Sequence, residues 1–260
     1  MSFSTGDPGW LAYYEETLDR PRYREAGRLL ASGAKIYSQN DEDGILQEIY
    51  RRIGVENRRF IEFGVQNGLE CNSVFLLLTG WSGHWCESDA SAVEDIRGTF
   101  DVFLKAGRLR CQNAVVTPDN INELFRDDGD VDLLSIDTDY HDYWLWKALE
   151  AIRPRVVVIE YNATLKPPLS LTVPYEPHEH WDGSSFFGAS LSALEKLGSE
   201  KGYALVGCCF SGVNAFFVRN DLIGDHFCAP YTAENHYEPP RYGMRYPRGH
   251  PPGLGVYENV

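Results

Sequence analysis

The sequence predicts an α/β protein. Its centre is a doubly wound sheet of seven strands, mostly parallel, with a C-terminal antiparallel hairpin and an N-terminal helical cap. Three observations carry this. Nearly continuous apolar runs recur at Phe60-Ile61-Glu62-Phe63, Val131 to Ile136 and Arg155 to Ile159, as in parallel strands buried on both faces. Segments with helical spacing alternate with them, which is the rhythm of an open sheet with helices on either side. Finally, Tyr203 to Phe210 and Val213 to Arg219 flank Ser211-Gly212, two strands turning back on each other.

The chain is long enough for a large buried core: 260 residues, 43% hydrophobic and 24% charged. Its 38 acidic and 24 basic residues give a net charge of −14, which argues against a nucleic-acid surface. No apolar stretch approaches the ~18 residues of a membrane span, and Met1 to Asp19 lacks the segments of a signal peptide. A cytoplasmic protein with a small-molecule substrate and no membrane partner is expected. Cys71, Cys86, Cys111, Cys208, Cys209 and Cys228 show no C-x-x-C spacing and read as free thiols with packing roles.

In chain order, residues 1–37 form a helical lead-in, with Trp10, Tyr13, Tyr14, Leu18 and Tyr23 at helical spacing. The body spans 38–228. Ser38 to Gly44 is a polar start, with Asn40 or Asp41 as cap, for a helix whose apolar face is Ile45, Leu46, Ile49, Tyr50 and Ile53. Strand 1, Phe60 to Phe63, leads into a glycine turn from Gly64 to Gly68 and a helix bearing Asn72, Val74, Phe75 and Leu78. Strand 2, His84 to Cys86, ends on Glu87 and Asp89. Strand, glycine turn, helix, strand, acid is a nucleotide-site order: glycines admit a ligand to the backbone, and the acid accepts from ribose hydroxyls.

A helix is expected from about Ala90 to Leu104, then strand 3 from Arg108 to Val116 and a helix capped by Thr117 to Asn120. Asp127, Asp128, Asp130 and Asp132 read as a solvated turn. Strand 4 ends in Asp137-Thr138-Asp139-Tyr140-His141-Asp142, a helix through Ile152 follows, and strand 5 ends in Glu160-Tyr161-Asn162. Residues 163–185 hold four prolines and His178-Glu179-His180-Trp181, which marks a lid or binding loop. Phe187 to Lys201 is helical, the hairpin follows, and 229–260 is an irregular tail folded over the body or over a neighbouring subunit in a homo-oligomer.

This arrangement resembles the class I S-adenosylmethionine-dependent methyltransferases, whose fold is Rossmann-like, from about Gln39 to Arg219. Ser38-Gln39 with Glu42-Asp43-Gly44, Phe60 to Gly64, Leu134 to Asp137 and Val158 to Asn162 look like a largely uncharacterised methyltransferase-like branch. The resemblance implies S-adenosylmethionine as cofactor. Gln39 would stand at its mouth, Glu62, Gly64 and Gly68 along its methionine part, Glu87 or Asp89 on the ribose, Asn113 beside adenine and Asp137 at the amino-acid end. Two departures are visible: Gln66 stands where a further glycine is frequent, and Tyr140-His141 replaces a small turn-forming pair.

The ends of strands 4 and 5 should converge. Asp137, Asp139, Glu160 and Asn162 then offer hard oxygen donors for Mg²⁺ or another divalent metal, similar to the metal-dependent catechol-type O-methyltransferases. His141, His178 and His180 are an alternative, nitrogen-rich set. His141, with Asp137 and Asp139, is the candidate catalytic group, as general base toward a substrate hydroxyl or amine. Tyr140, Tyr143, Tyr161, His178, His180 and Trp181 are candidate substrate contacts. Three functions follow: methyl transfer to oxygen or nitrogen of a small metabolite, metal chemistry on the same fold without methyl transfer, or a non-catalytic scaffold binding a partner through lid and tail.

Overall fold

The computed structural model describes residues 8–241, 250–251 and 253–260. The side chain of Trp10 and the part of the predicted tail at 242–249 and 252 lie outside the described residues. In chain order the elements are α1 (Pro8–Leu18), α2 (Glu42–Ile53), β1 (Arg59–Phe63), α3 (Val74–Leu78), β2 (Ser82–Glu87), α4 (Ala90–Thr99), α5 (Asp101–Lys105), β3 (Leu109–Asn113), α6 (Ile121–Phe125), β4 (Leu133–Ile136) and α7 (Asp142–Ala148). There follow β5 (Val156–Glu160), β6 (Leu171–Thr172), α8 (Leu191–Glu200), β7 (Tyr203–Cys208), β8 (Asn214–Arg219), α9 (Ala233–His236) and β9 (Glu258–Asn259).

Seven strands form one sheet in the order β3-β2-β1-β4-β5-β8-β7. The first five are parallel, and β8 runs antiparallel between β5 and β7. This is a doubly wound, Rossmann-like sheet closed at one edge by an antiparallel hairpin. Alternation along the strands feeds two cores. Ile61, Phe63, Leu134, Ile136 and Val157 pack with Phe125, Trp146 and Leu194 on one face, while Phe60, Leu133, Val156 and Val158 meet Ile45, Ile49 and Leu77 on the other. The order reverses between β1 and β4, so the connections that leave their carboxyl ends go to opposite faces of the sheet and leave a crevice between them.

Several expectations are corrected. The single helix from Ala90 to Leu104 is two, broken at Phe100, whose ring turns in against Trp85 at 4.9 Å. The helix after β4 stops at Ala148, because Asn122 Oδ1 takes the next free amides, Glu150 and Ala151. The acidic run is not all solvated. Asp132 is fully buried, accepts from the amides of Glu56, Asn57 and Arg58, and lies 3.0 Å from Arg155. Asp128 is buried against His84 and Arg110.

The start of α2 is more than a cap. Asp41 stands at the cap position without a side-chain capping bond; its carboxylate accepts from Phe210 N instead. Glu42 accepts from Asn40 and from Asn214 Nδ2, and Asp43 Oδ2 accepts from three successive amides, Ile36 to Ser38. Three adjacent acids thus tie α2 to the lead-in loop and to the hairpin.

The lid is folded onto the body. β6 pairs antiparallel with β9, and Trp144 Nε1 donates to Val173 O at 2.8 Å. The described end of the tail therefore pairs within its own chain. The six cysteines are free, five of them buried and Cys111 partly so. No helix among the described residues is long and apolar enough to cross a membrane.

Candidate active site

The turn after β1 is built by buried acids. Glu62, at the penultimate position of β1, accepts from the amides of Asn72 and Ser73 and from the hydroxyls of Ser73 and Ser135. Both oxygens are therefore spent on holding the turn, and Glu62 shapes the site through that turn although it also lines the cleft. Gly64 lies at φ +78°, and a Cβ there would fall 1.6 Å from Asp137 O. Only a glycine lets the ends of β1 and β4 approach so closely. Gln66 takes a left-handed φ of 49°, and its amide donates to Glu87 Oε2 at 2.6 Å.

Two cavities open beside this turn, and Gly64, Gln66 and Asp137 line both. The first, about 430 Å³, is further lined by Gln39, Glu62, Cys71, Asn72 and Asn214. Asn214 Oδ1 is buried and has no hydrogen-bond partner. The second, about 220 Å³, lies between the ends of β2 and β3 and the start of α7, lined by Glu87, Val115, Thr117, Asp139, Tyr140 and His141. Tyr175, Glu179 and His180 from the lid border it as well. Together the two are arms of one cleft of the size that small-molecule sites have.

At the junction sits a cluster of carboxyls. One oxygen each of Asp137, Asp139 and Glu160 lies within 4.8 Å of the others. Glu160 Oε2 and the neighbouring Asp142 Oδ2 are buried without a partner. Burial, then the charges of Asp139, Asp142 and Glu62, push Asp137 well above the usual carboxylate range. Burial and Asp137 do the same to Glu160, and burial then Glu87 raise Asp139. Burial lifts Asp142 to about 6 even though Thr138 donates two hydrogen bonds to it. Among the described residues, no lysine or arginine forms an ion pair with these four. The donors are hard oxygens, and the orphaned Glu160 oxygen leaves one ligand atom spare, so the cluster fits a divalent cation.

His141 stands at the cap position of α7, with Nε2 buried and unpartnered. Its ring meets Tyr140 edge-on at 4.7 Å and Tyr175 at 5.0 Å. Burial, then His180, lower its pKa to about 4, so the imidazole is uncharged at neutral pH.

The remaining sequence candidates divide. Asn162 does not join the carboxyls: its Nδ2 donates to Ser185 O and Phe187 O, and its Oδ1 accepts from Thr164. Tyr161 is buried in the core with its hydroxyl on Glu238 O, and Tyr143 is buried in the same core, so neither borders the cleft. Asp89 is exposed and caps α4 through Ser91 N. Asn113 braces the end of β2 by donating to the carbonyls of Glu87 and Ser88. Gly68 is needed where Trp85 and Phe100 pack against it, each 2.9 Å from a would-be Cβ. His178 is exposed and borders neither cavity, which separates it from His141 and His180. Trp181 packs on His250 and Phe187. Sequence reasoning missed Val115 and Thr117, which the rule that ligands sit beyond strand ends could have found. It also missed Asn214, which reaches the cleft only because β8 inserts beside β5.

No family model matches the chain, and no curated protein matches it. Solved structures resemble it at low identity. The N-terminal domain of EvdMO1 with SAH bound is 13% identical at TM-score 0.44, over 82% of this chain and 95% of that one. Magnesium protoporphyrin IX methyltransferase (ChlM) from Synechocystis PCC 6803 with bound SAM is 12% identical at TM-score 0.43, over 80% and 96%. An S-adenosylmethionine-dependent methyltransferase from Clostridium acetobutylicum ATCC 824 is 11% identical at TM-score 0.40, over 81% and 99%.

Proposed function

We propose that this protein is an enzyme that transfers the methyl group of S-adenosylmethionine to an oxygen or nitrogen of a small organic acceptor. The observation that carries the reading is the cleft at the sheet's reversal point, with Glu87 on its β2 side and Gly64 pressed against Asp137. Bound there, the cofactor supplies an activated methyl group on a positively charged sulfur. The chain's own work is to hold and to orient.

Glu87 accepts from a ribose hydroxyl on the Oε2 lone pair that Gln66 N leaves free, Oε1 being taken by Ser88 and Asp89, and the second cavity takes the base. Asn214 Oδ1, an orphaned acceptor, and the Asp137 carboxyl suit the ammonium of the methionine part in the first cavity. The acceptor's proton goes to the carboxyl cluster. Carboxyls whose pKa is raised make better proton acceptors than ordinary ones, and Asp139 lines the cleft as the most exposed member of the cluster. His141 is a weaker base for this role than an ordinary imidazole, since burial and then His180 lower its pKa to about 4. A divalent cation held by Asp137, Asp139 and Glu160 would lower the pKa of an acceptor hydroxyl.

Isothermal titration with S-adenosylhomocysteine tests the reading. Binding in the micromolar range is expected, weakened about tenfold or more in Glu87→Ala, in which a bonded carboxylate is lost. An absence of heat at millimolar ligand overturns it. For the cation, chelator-dialysed protein titrated with Mn²⁺ should give one site that Asp139→Asn weakens.

A further inference from the structure

The second cavity has apolar walls, Val115 and Val116 on the β3 side and Leu145 from α7. Such walls suit the two faces of a flat ring, but they do nothing for its polar edge. The polar groups along this cavity differ in how firmly they are held. Tyr175, Glu179 and His180 belong to the lid, and His180 is exposed. Glu87 is engaged with Gln66 and Asp89, and Asp139 belongs to the carboxyl cluster. His141 is different. Its backbone carbonyl accepts from Trp144 and Leu145, so the first turn of α7 fixes its place. Its ring is wedged edge-on between Tyr140 and Tyr175. Its Nε2 is nonetheless buried without a partner. A buried polar atom left unsatisfied is costly, and a ligand that bonds to it recovers that cost.

We infer that His141 is a specificity-determining residue for the cofactor base, its Nε2 accepting a hydrogen bond from the exocyclic amino group of adenine. The inference rests on the reading of the cleft given above. It places His141 on the base side of Asp137 and makes it a recognition group. The tautomer required carries its proton on Nδ1 and leaves the Nε2 lone pair free.

Titration with two probes tests this: S-adenosylhomocysteine, and its analogue carrying purine in place of adenine, which lacks only the amino group. The wild-type protein should bind the first about tenfold more tightly, the worth of one hydrogen bond made to an otherwise orphaned atom. His141→Phe keeps an aromatic ring but no acceptor, and should bind both probes alike. His141→Gln, whose amide oxygen can accept, should restore part of the preference. Equal affinity of wild-type protein for the two probes overturns the inference whether or not the variants fold, as does a preference that survives in His141→Phe. If wild-type protein binds neither probe, the reading of the cleft falls and the inference with it.

Discussion

At the scale of single residues, the site depends on glycines and side chains that hold the shape of its walls. Gly64 is the sharpest case. Its positive φ and the 1.6 Å approach of a would-be Cβ to Asp137 O leave no room for any other residue. Gly64→Ala should cost about 3 kcal/mol or more of stability in urea unfolding and abolish S-adenosylhomocysteine binding. Gly107→Ala is the control: it too has positive φ, but nothing lies within 4 Å, so only the backbone penalty of about 1 kcal/mol applies. Equal losses in the two variants would contradict the close-approach argument. Glu62 and Asn162 teach a related lesson. Both are polar residues at strand ends, where the sequence invites a ligand role. The structure spends their oxygens and amide on a turn and on the lid.

At the scale of elements, the start of α2 carries a testable electrostatic load. Asp41 is buried; that burial, and then the Glu42 carboxylate beside it, push its pKa up from 3.8 to about 8. The direction fixes the sign of a stability effect. Between those two values the folded chain holds a proton that the unfolded chain has released. This contribution is therefore complete below about pH 4 and is lost as pH rises toward 8, at up to ~1.4 kcal/mol per pH unit. Asp41→Asn removes the titration while keeping an acceptor for Phe210 N. The variant should gain on wild-type protein steadily from pH 5 to pH 8 in denaturant unfolding. A difference that stays constant across that range would show that Asp41 does not titrate there. The element matters for the site because Glu42 bonds Asn214 Nδ2, which leaves Asn214 Oδ1 as the free acceptor in the first cavity.

At the scale of the whole molecule, the lid that borders the second cavity is tied to the tail. β6 and β9 pair, Ser185 N donates to Pro251 O, and Tyr257 donates to Ser185 O. Glu238, buried with Arg241, receives the hydroxyl of Tyr23, so the tail also holds the N-terminal lead-in. Deleting residues 254–260 unpairs β6 and should expose the segment around 176–183 to limited proteolysis, while unfolding of the sheet shifts little. Unchanged cleavage in that segment would mean that the lid is held by Trp144 and Asn162 without the tail.

The sequence by itself determined the fold class, the seven strands, the glycine turn and the acids at the ends of β2 and β4. Those follow from local pattern: apolar runs, turn residues and the alternation of strand with helix. It also put Asp137, Asp139 and Glu160 together, because parallel strands in register bring their carboxyl ends to one edge. Only the tertiary structure decided which polar side chains are free. Asn113, Asn162, Asp89 and Tyr161 have the chemistry of site residues, but backbone groups distant in sequence or in their own turns already engage them. Asn214 and His141 are the reverse. Each keeps a buried polar atom unpartnered beside the cleft, and no sequence pattern records such an atom, because it depends on what the rest of the fold fails to bring near.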